Sequence, residues 1–305
     1  MDPRFLVTGA HGCIGAWVVH ELVRADREVV TFDLSTEPRR LRLLLGRQAV
    51  DIPHVPGDIT DGISLEHALD EHKITNVIHL AALQVPLVRA DPALGARVNV
   101  LGMVNVFEAA RRHRLAPVVY ASSIAALDRD GGGSGSPSTL YGVFKRANEH
   151  TARVYFEESG VASVGLRPHT VYGVGRDQGV TSAPTTAMLA AAAGIAYTIP
   201  YGGACQMQFA RDVARAFIAA SDASAEGATV HNLPGRRTAI ADVVSAIGVE
   251  LITFDDVALP FPEETDAASF RALVPDFEET SLDEGVRATI DLFRHLIAEG
   301  LVSAE

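Results

Sequence analysis

Short apolar runs alternate with segments of helical period through the first 170 residues. Arg4 to Thr8 (RFLVT), Glu28 to Phe32 (EVVTF), Asn76 to Leu80 (NVIHL), Pro117 to Ala121 (PVVYA) and Ala162 to Leu166 (ASVGL) read as buried strands. Ala16 to Ala25, with Val19, Leu22 and Val23 at helical spacing, reads as a helix, as do Val98 to His113 and Val143 to Ser159. Strands alternating with helices of this length imply βαβ units and a mostly parallel sheet with both faces covered. After Leu166 the alternation loosens into Gly-, Pro- and Thr-rich stretches, followed by a helical pattern from Asp212 to Ala220. Ser281 and Glu284 fit a capping box that opens a C-terminal helix carrying Val286, Ile290, Phe293 and Ile297.

Charge narrows the partners. The 305 residues hold 26 Lys+Arg against 38 Asp+Glu, a formal charge of −12. Phosphate neutralisation needs clustered cations, so a nucleic-acid partner is not expected. Ten of the acids lie between Asp255 and Glu284 with one basic residue, Arg271, and read as the solvated surface of an appended region. That concentration leaves the N-terminal half nearer neutrality, as a phosphate-bearing cofactor requires. Gly131 to Ser136 is a flexible loop by composition. The two cysteines, Cys13 and Cys205, form no C-x-x-C pair, so neither a disulfide framework nor a zinc site is expected and a reducing cytosol suits the chain. The N-terminus lacks the features of a signal peptide, and the most apolar later stretch, Thr186 to Ile199, is too short to span a bilayer. A soluble cytoplasmic protein without a membrane partner is the expectation.

The first strand runs into Gly9-Ala-His-Gly12-Cys13-Ile14-Gly15 with a helix directly behind. Glycines there allow positive φ and close approach of a pyrophosphate, and the helix N-terminus offers free N–H groups. The second strand ends at Asp33, whose carboxylate can accept from the ribose 2′-OH of NAD and would repel a 2′-phosphate. Arg39 and Arg40 follow too far past the strand end to overturn NAD in favour of NADP. Asp58-Ile59 after the third strand can meet the adenine, although Asp58 also fits a helix cap. His79-Leu80-Ala81-Ala82 ends the fourth strand with small residues beside a nicotinamide ribose, while His79 itself also fits a core histidine.

Tyr141 and Lys145 lie four apart at a helix start and so share a face. A neighbouring ammonium favours phenolate, which lets a tyrosine exchange a proton with an alcohol or carbonyl near neutral pH. Upstream, Ser122-Ser123 closes a strand and offers a hydroxyl to the reacting oxygen.

The succession TGAHGCIG, Asp33, GDI, HLAA, RVNVLG, YASS, YGVFK, LRPHTVYG, RDVARAF and TSLDEG resembles the extended short-chain dehydrogenase/reductase family, the NAD-dependent epimerase/dehydratase group. The resemblance implies an α/β, doubly wound parallel (Rossmann) domain over residues 1–165 and a smaller, mainly substrate-binding region over 166–305. Residues about 205–222 of the latter would return to the core. It implies Tyr141 as acid/base, Lys145 as its electrostatic partner and ribose ligand, and Ser123 as the holder of the reacting oxygen. Asn99 would lie near the cofactor, Pro168 and His169 would flank the nicotinamide, and the protein would be a homodimer. Two departures bear on the substrate. Ser123 is followed by Ile124-Ala-Ala, without the acidic residue of dehydratases. Thr170 and Cys205 stand where nucleotide-sugar members carry Asn and Arg. Gln84, Thr170, Arg176 and Gln178 are then the candidate substrate contacts, beside Ser123. The expected function is NAD-dependent hydride transfer at a secondary alcohol of a sugar-like or small polyhydroxy substrate, as dehydrogenase or epimerase. A UDP-hexose 4-epimerase and a non-catalytic NAD sensor or scaffold are the alternatives.

Overall fold

The computed structural model describes residues 2–128, 131, 135–259 and 262–303; the glycine-rich run from Gly131 therefore falls largely outside the described residues. Twelve strands and twelve α-helices are described. The strands are β1 (Arg4–Thr8), β2 (Glu28–Asp33), β3 (His54–Pro56), β4 (Asn76–His79), β5 (Val118–Ala121), β6 (Ser163–Arg167), β7 (Thr170–Tyr172), β8 (Tyr197–Ile199), β9 (Ala204–Phe209), β10 (Ala228–Asn232), β11 (Arg236–Ala239) and β12 (Ile252–Phe254). The helices are α1 (Cys13–Arg24), α2 (Arg39–Leu45), α3 (Gly62–Glu71), α4 (Val85–Ala90), α5 (Pro92–Ala96), α6 (Gly102–His113), α7 (Leu140–Ser159), α8 (Ala183–Ala193), α9 (Ala210–Asp222), α10 (Ile240–Ile247), α11 (Ala268–Leu273) and α12 (Leu282–Ala298).

Seven strands form one parallel sheet in the order β10-β6-β5-β4-β1-β2-β3. The order reverses between β1 and β4, the switch point at which open α/β sheets bind ligands beyond the strands' carboxyl ends. Continuous apolar strands need cover on both faces. One apolar cluster joins Phe5, Val7, Trp17 and Val18 to Phe217 and Tyr172; the other joins Leu6, Phe32, Leu65 and Phe107 to Tyr120. Helix α9 packs on α1, so the segment around 210–222 covers the first face. The sheet then closes with β10, paired along β6 from Ala228↔Ser163 to Asn232↔Arg167.

The remaining strands make two smaller sheets, β11-β9-β7 and β12-β8. The helix expected from Val98 is interrupted: Arg97–Leu101 is a π-turn between α5 and α6. The capping box at Ser281 is present, with Ser281 Oγ accepting from Glu284 N–H and Glu284 Oε2 accepting from Ser281 N–H. Leu296 rather than Ile297 completes the fully buried stripe of α12. Part of the acidic run is paired, Glu263 with Arg237 and Glu279 with Arg271. Among the described residues no helix is long and apolar enough to cross a membrane.

Candidate active site

The glycine loop is built by close approach. Gly9 sits at φ +68°, and a Cβ there would come 2.6 Å from the Ala81 nitrogen. A Cβ on Gly15 would strike the Gly9 carbonyl. Gly12 is the N-cap of α1, with no side chain on its free N–H groups. A twelve-residue helix thus aims an uncapped, partially positive end at the switch point. The fold leaves this cradle empty of side chains, and its donors and field suit a pyrophosphate.

Asp33, at the end of β2, accepts from the N–H of His11 at 2.9 Å and of Ser35 at 3.0 Å. Its two oxygens keep lone pairs for further donors. Arg40 is committed elsewhere: it donates to the carbonyls of His11 (2.9 Å) and Gly175 (3.0 Å) and pairs with Asp177. The glycine loop and the loop after β7 are therefore tied by one guanidinium.

A cavity of about 220 Å3 opens beside the cradle. Gly9, Gly12, Cys13, Ile14, Gly15, Leu80, Ala82, Gln84, Ser123, Tyr141, Lys145, Pro168, His169, Thr170 and Arg176 all line it. Ala81 does not, but its backbone packs against Gly9. Asp33, Asp58, Ile59, Asn99 and Gln178 stand outside the lining. Exposed Asp58 accepts from Thr60 N–H at 2.9 Å as a turn residue, and Ile59 packs under Gly102. Asn99 clamps the backbone of Leu83, accepting its N–H at 2.7 Å and donating to its carbonyl at 2.9 Å. Gln178 points from an exposed loop. A larger cavity of about 640 Å3, lined by Asp212, Arg236 and Thr280 among others, contains none of these candidates.

Ser122, the neighbour of Ser123, lines the smaller cavity too, as do Val85, Pro86 and Thr181, which are not among the expected contacts. The paired serines and the polar loop from Gly173 to Ser182 carried the signal for Ser122 and Thr181.

The reacting groups converge from two elements. Thr139 caps α7 by accepting from Gly142 N–H, which sets Tyr141 and Lys145 in the first turns. Gly142 allows the approach, since a Cβ would collide with the Ala125 carbonyl. Ser123 accepts from Ala125 N–H at 3.1 Å and is hydrogen-bonded to Tyr141. Burial pushes the Tyr141 phenol up, while the Ser123 bond and the Arg176 charge pull it down; the lowered phenol expected from the neighbouring ammonium is thus reversed by desolvation. Lys145 donates to the Ala121 carbonyl at 2.6 Å, and burial brings its ammonium down to about 8, against Glu149.

His79 is a buried core histidine bonded to Thr8 Oγ1 at 2.7 Å. Burial, reinforced by Lys145, lowers it to about 3. The backbone N–H of His169 donates to Gln208 Oε1 at 2.7 Å, and its ring Nε2 meets the Pro262 carbonyl at 2.7 Å. Burial lowers its titration.

On the opposite wall, Arg176 donates to Gln84 Oε1 at 3.2 Å and to Thr181 Oγ1 at 3.0 Å. Its Nε is buried without a partner, and no carboxylate pairs with it among the described residues. Thr170 is bonded to the His169 ring at 3.2 Å and to the Cys205 sulfur. Cys205 is buried, so no cation occupies that position.

An uncapped glycine turn at the switch point, with Ser, Tyr and Lys on the facing wall, defines a dinucleotide-binding α/β fold of the short-chain dehydrogenase/reductase kind. The profile of the NAD dependent epimerase/dehydratase family matches residues 5–233, and the chain belongs to that family. Over 315 aligned residues it is 27% identical to the UDP-glucose 4-epimerase of Mycolicibacterium smegmatis, covering 96% of this chain and 99% of that one. Other curated relatives are matched over about half of their own length. The fold is similar to the UDP-glucose 4-epimerase of Thermus thermophilus in complex with NAD (25% identity, TM-score 0.77, 95% and 99% of the two chains). It is also similar to a GalE-like L-threonine dehydrogenase from Cupriavidus necator (25%, TM-score 0.80, 95% and 99%).

Proposed function

We propose that the chain is an NAD-dependent dehydrogenase of a small polyhydroxy acid, oxidising a secondary alcohol near a carboxylate. The carrying observation is Arg176: a half-buried guanidinium on the wall of the cavity that Ser123 and Tyr141 also line, without a carboxylate partner among the described residues. A partly desolvated cation favours a counter-charge, and a substrate carboxylate supplies it, with Gln84, Thr181 and Thr170 as polar neighbours. Gln178 would add a contact from the exposed loop.

The cradle of Gly9, Gly12, Cys13, Ile14 and Gly15 would hold the cofactor pyrophosphate. Asp33 would take the adenosine ribose, Asp58 and Ile59 the adenine side, and Tyr141 and Lys145 the nicotinamide ribose. Leu80, Ala81, Ala82, Pro168 and His169 would wall the nicotinamide, with Asn99 holding the Leu83 backbone behind them. When bound, NAD supplies the reversible hydride acceptor that alcohol oxidation requires. Ser123 Oγ holds the substrate oxygen and Tyr141 Oη takes its proton. The Lys145 ammonium favours the phenolate that must form first.

The full-length match to a UDP-glucose 4-epimerase favours a second reading, a UDP-hexose 4-epimerase. The buried Cys205 offers no cation to a diphosphate, which is why the acid dehydrogenase is preferred.

Residues 1–165 would form the cofactor part and 166–305 chiefly the substrate part. The exposed Leu94, Leu101, Leu140, Val143 and Val154 on neighbouring helical segments would meet a second copy in a homodimer. Two free cysteines suit the cytoplasm.

The test is a panel of sugar acids, small hydroxy acids, free sugars and UDP-sugars assayed with NAD. Net NADH absorbance with an acid supports the dehydrogenase. Conversion of a UDP-sugar without net NADH supports the epimerase. Full activity in Tyr141→Phe would overturn both, and NAD binding without turnover of any compound would leave a sensor.

A further inference from the structure

Helix α7 places Glu149 one turn beyond Lys145, on the same face. Its carboxylate is fully engaged. The Ser122 hydroxyl donates to Oε1, and Arg167 donates from Nε to Oε1 at 2.7 Å and from Nη2 to Oε2 at 2.6 Å. The pair is mostly screened from solvent, with side chains 9% (Glu149) and 17% (Arg167) exposed. Ser122 directly precedes Ser123, and Arg167 directly precedes Pro168 and His169. Arg167 also reaches Asn232 Oδ1 on β10 at 3.3 Å. One carboxylate thus joins the ends of β5 and β6 to the helix that carries Tyr141 and Lys145.

The charges around Lys145 are uneven. His79 faces it from β4 and is neutral; the Tyr141 ring centre lies 5.7 Å from Nζ on α7. Tyr120, on β5, is held neutral by burial, with its hydroxyl unpartnered among the described residues. Arg167, from β6, is a second cation. Among the described residues Glu149 is the group whose charge favours the buried ammonium, and burial works against it.

We propose that Glu149 is a positioning residue: its bonds to Ser122 and Arg167 fix the two strand ends that wall the cavity, and its carboxylate is the counter-charge of the buried Lys145 ammonium. The ion pair with Arg167 gives that carboxylate a bidentate partner at the cavity wall. Removing Glu149 leaves burial of the ammonium unopposed and the half-buried Arg167 guanidinium without its carboxylate, and both changes favour loss of the proton from the lysine. The proposal rests on the functional reading only for its catalytic consequence.

The sequence provides a direct readout. The chain has two lysines, Lys73 and Lys145, so 13C labelling at lysine Cε gives two NMR signals, and Lys73→Arg assigns them. The measurement uses neither substrate nor cofactor, so its outcome is independent of the alcohol-oxidation assay. In the parent the Lys145 signal should titrate near 8. Glu149→Gln should lower that midpoint by about one unit or more, and Glu149→Asp should hold it near the parent value. Glu149→Gln with Arg167→Gln removes both charges and should bring the midpoint back between those of the single variant and the parent. A Glu149→Gln midpoint equal to the parent's would overturn the proposal, as would a double variant as low as the single one. If Glu149→Gln does not fold, a double-variant midpoint at or above the parent's overturns it, and one below supports it.

Discussion

The indole N–H of Trp17 on α1 donates to the carbonyl of Val174 at 2.9 Å, joining the cofactor helix to the loop that carries Arg176. Trp17→Phe keeps an aromatic ring against Phe209 but leaves a buried carbonyl without its donor. The expected cost is about 1–3 kcal/mol, seen as a Tm lower by several degrees in thermal denaturation. An unchanged Tm would mean that the bond contributes little.

The proposed function makes Arg176 the residue that separates substrates by charge. Arg176→Met should raise KM for an acidic substrate roughly 10- to 100-fold, the worth of a charge-assisted bond, with a smaller change in kcat. A neutral alcohol turned over by the parent should lose little. Equal losses on both would assign Arg176 to holding the loop rather than to recognising a carboxylate.

The proposed function puts the cofactor preference in Asp33 rather than in the nearby arginines. Asp33→Asn should weaken NAD binding about tenfold and narrow its advantage over NADP. Arg40→Ala should leave the NAD/NADP ratio unchanged, because Arg40 is spent on His11, Gly175 and Asp177. Its effect should appear instead as a raised substrate KM. Calorimetric titration with each dinucleotide reads the first two, and a ratio shifted by Arg40→Ala would contradict the assignment.

Buried histidines make the fold acid-sensitive. His79 stays neutral in the folded chain down to about pH 3, whereas in the unfolded chain it binds a proton below about pH 6.5. The unfolded state therefore holds more protons across that window, and stability falls as pH drops through it. The His79 share is about 2 kcal/mol between pH 6.5 and pH 5, with His11, His169 and His231 shifted in the same direction. Urea unfolding at the two pH values measures the loss, and a His79→Asn variant should lose less than the parent. An equal loss would place the sensitivity elsewhere.

Much of this could be read from the chain because its signals are local. The strand runs from Arg4 to Leu166, the glycine turn and the Tyr141–Lys145 spacing each need only a few neighbouring residues. What stayed hidden depends on distant partners. Glu149 looks like an ordinary helical acid until Arg167 and Ser122 fold against it. Arg40 lies too far past β2 to decide the cofactor, but only the folded chain shows it spent on Asp177 across the loop. Asn99 sits in a motif that suggests the cofactor, yet the π-turn aims its amide at Leu83. The strand Ala228–Asn232 was missed because its partly buried pattern carries little apolar signal at a sheet edge.

That edge strand decides how the protein can be rebuilt. Because β10 seals the large sheet only after the chain has left it to form the β7, β8 and β9 segments, the proposed substrate portion is threaded through the proposed cofactor portion. A fragment ending near residue 165 would lose the end of β6, all of β10, and the α9 cover over α1. The two portions are therefore not interchangeable cassettes. New specificity is better grafted into the loop between β7 and α8, whose ends the sheet and α8 already anchor, than obtained by swapping a C-terminal half.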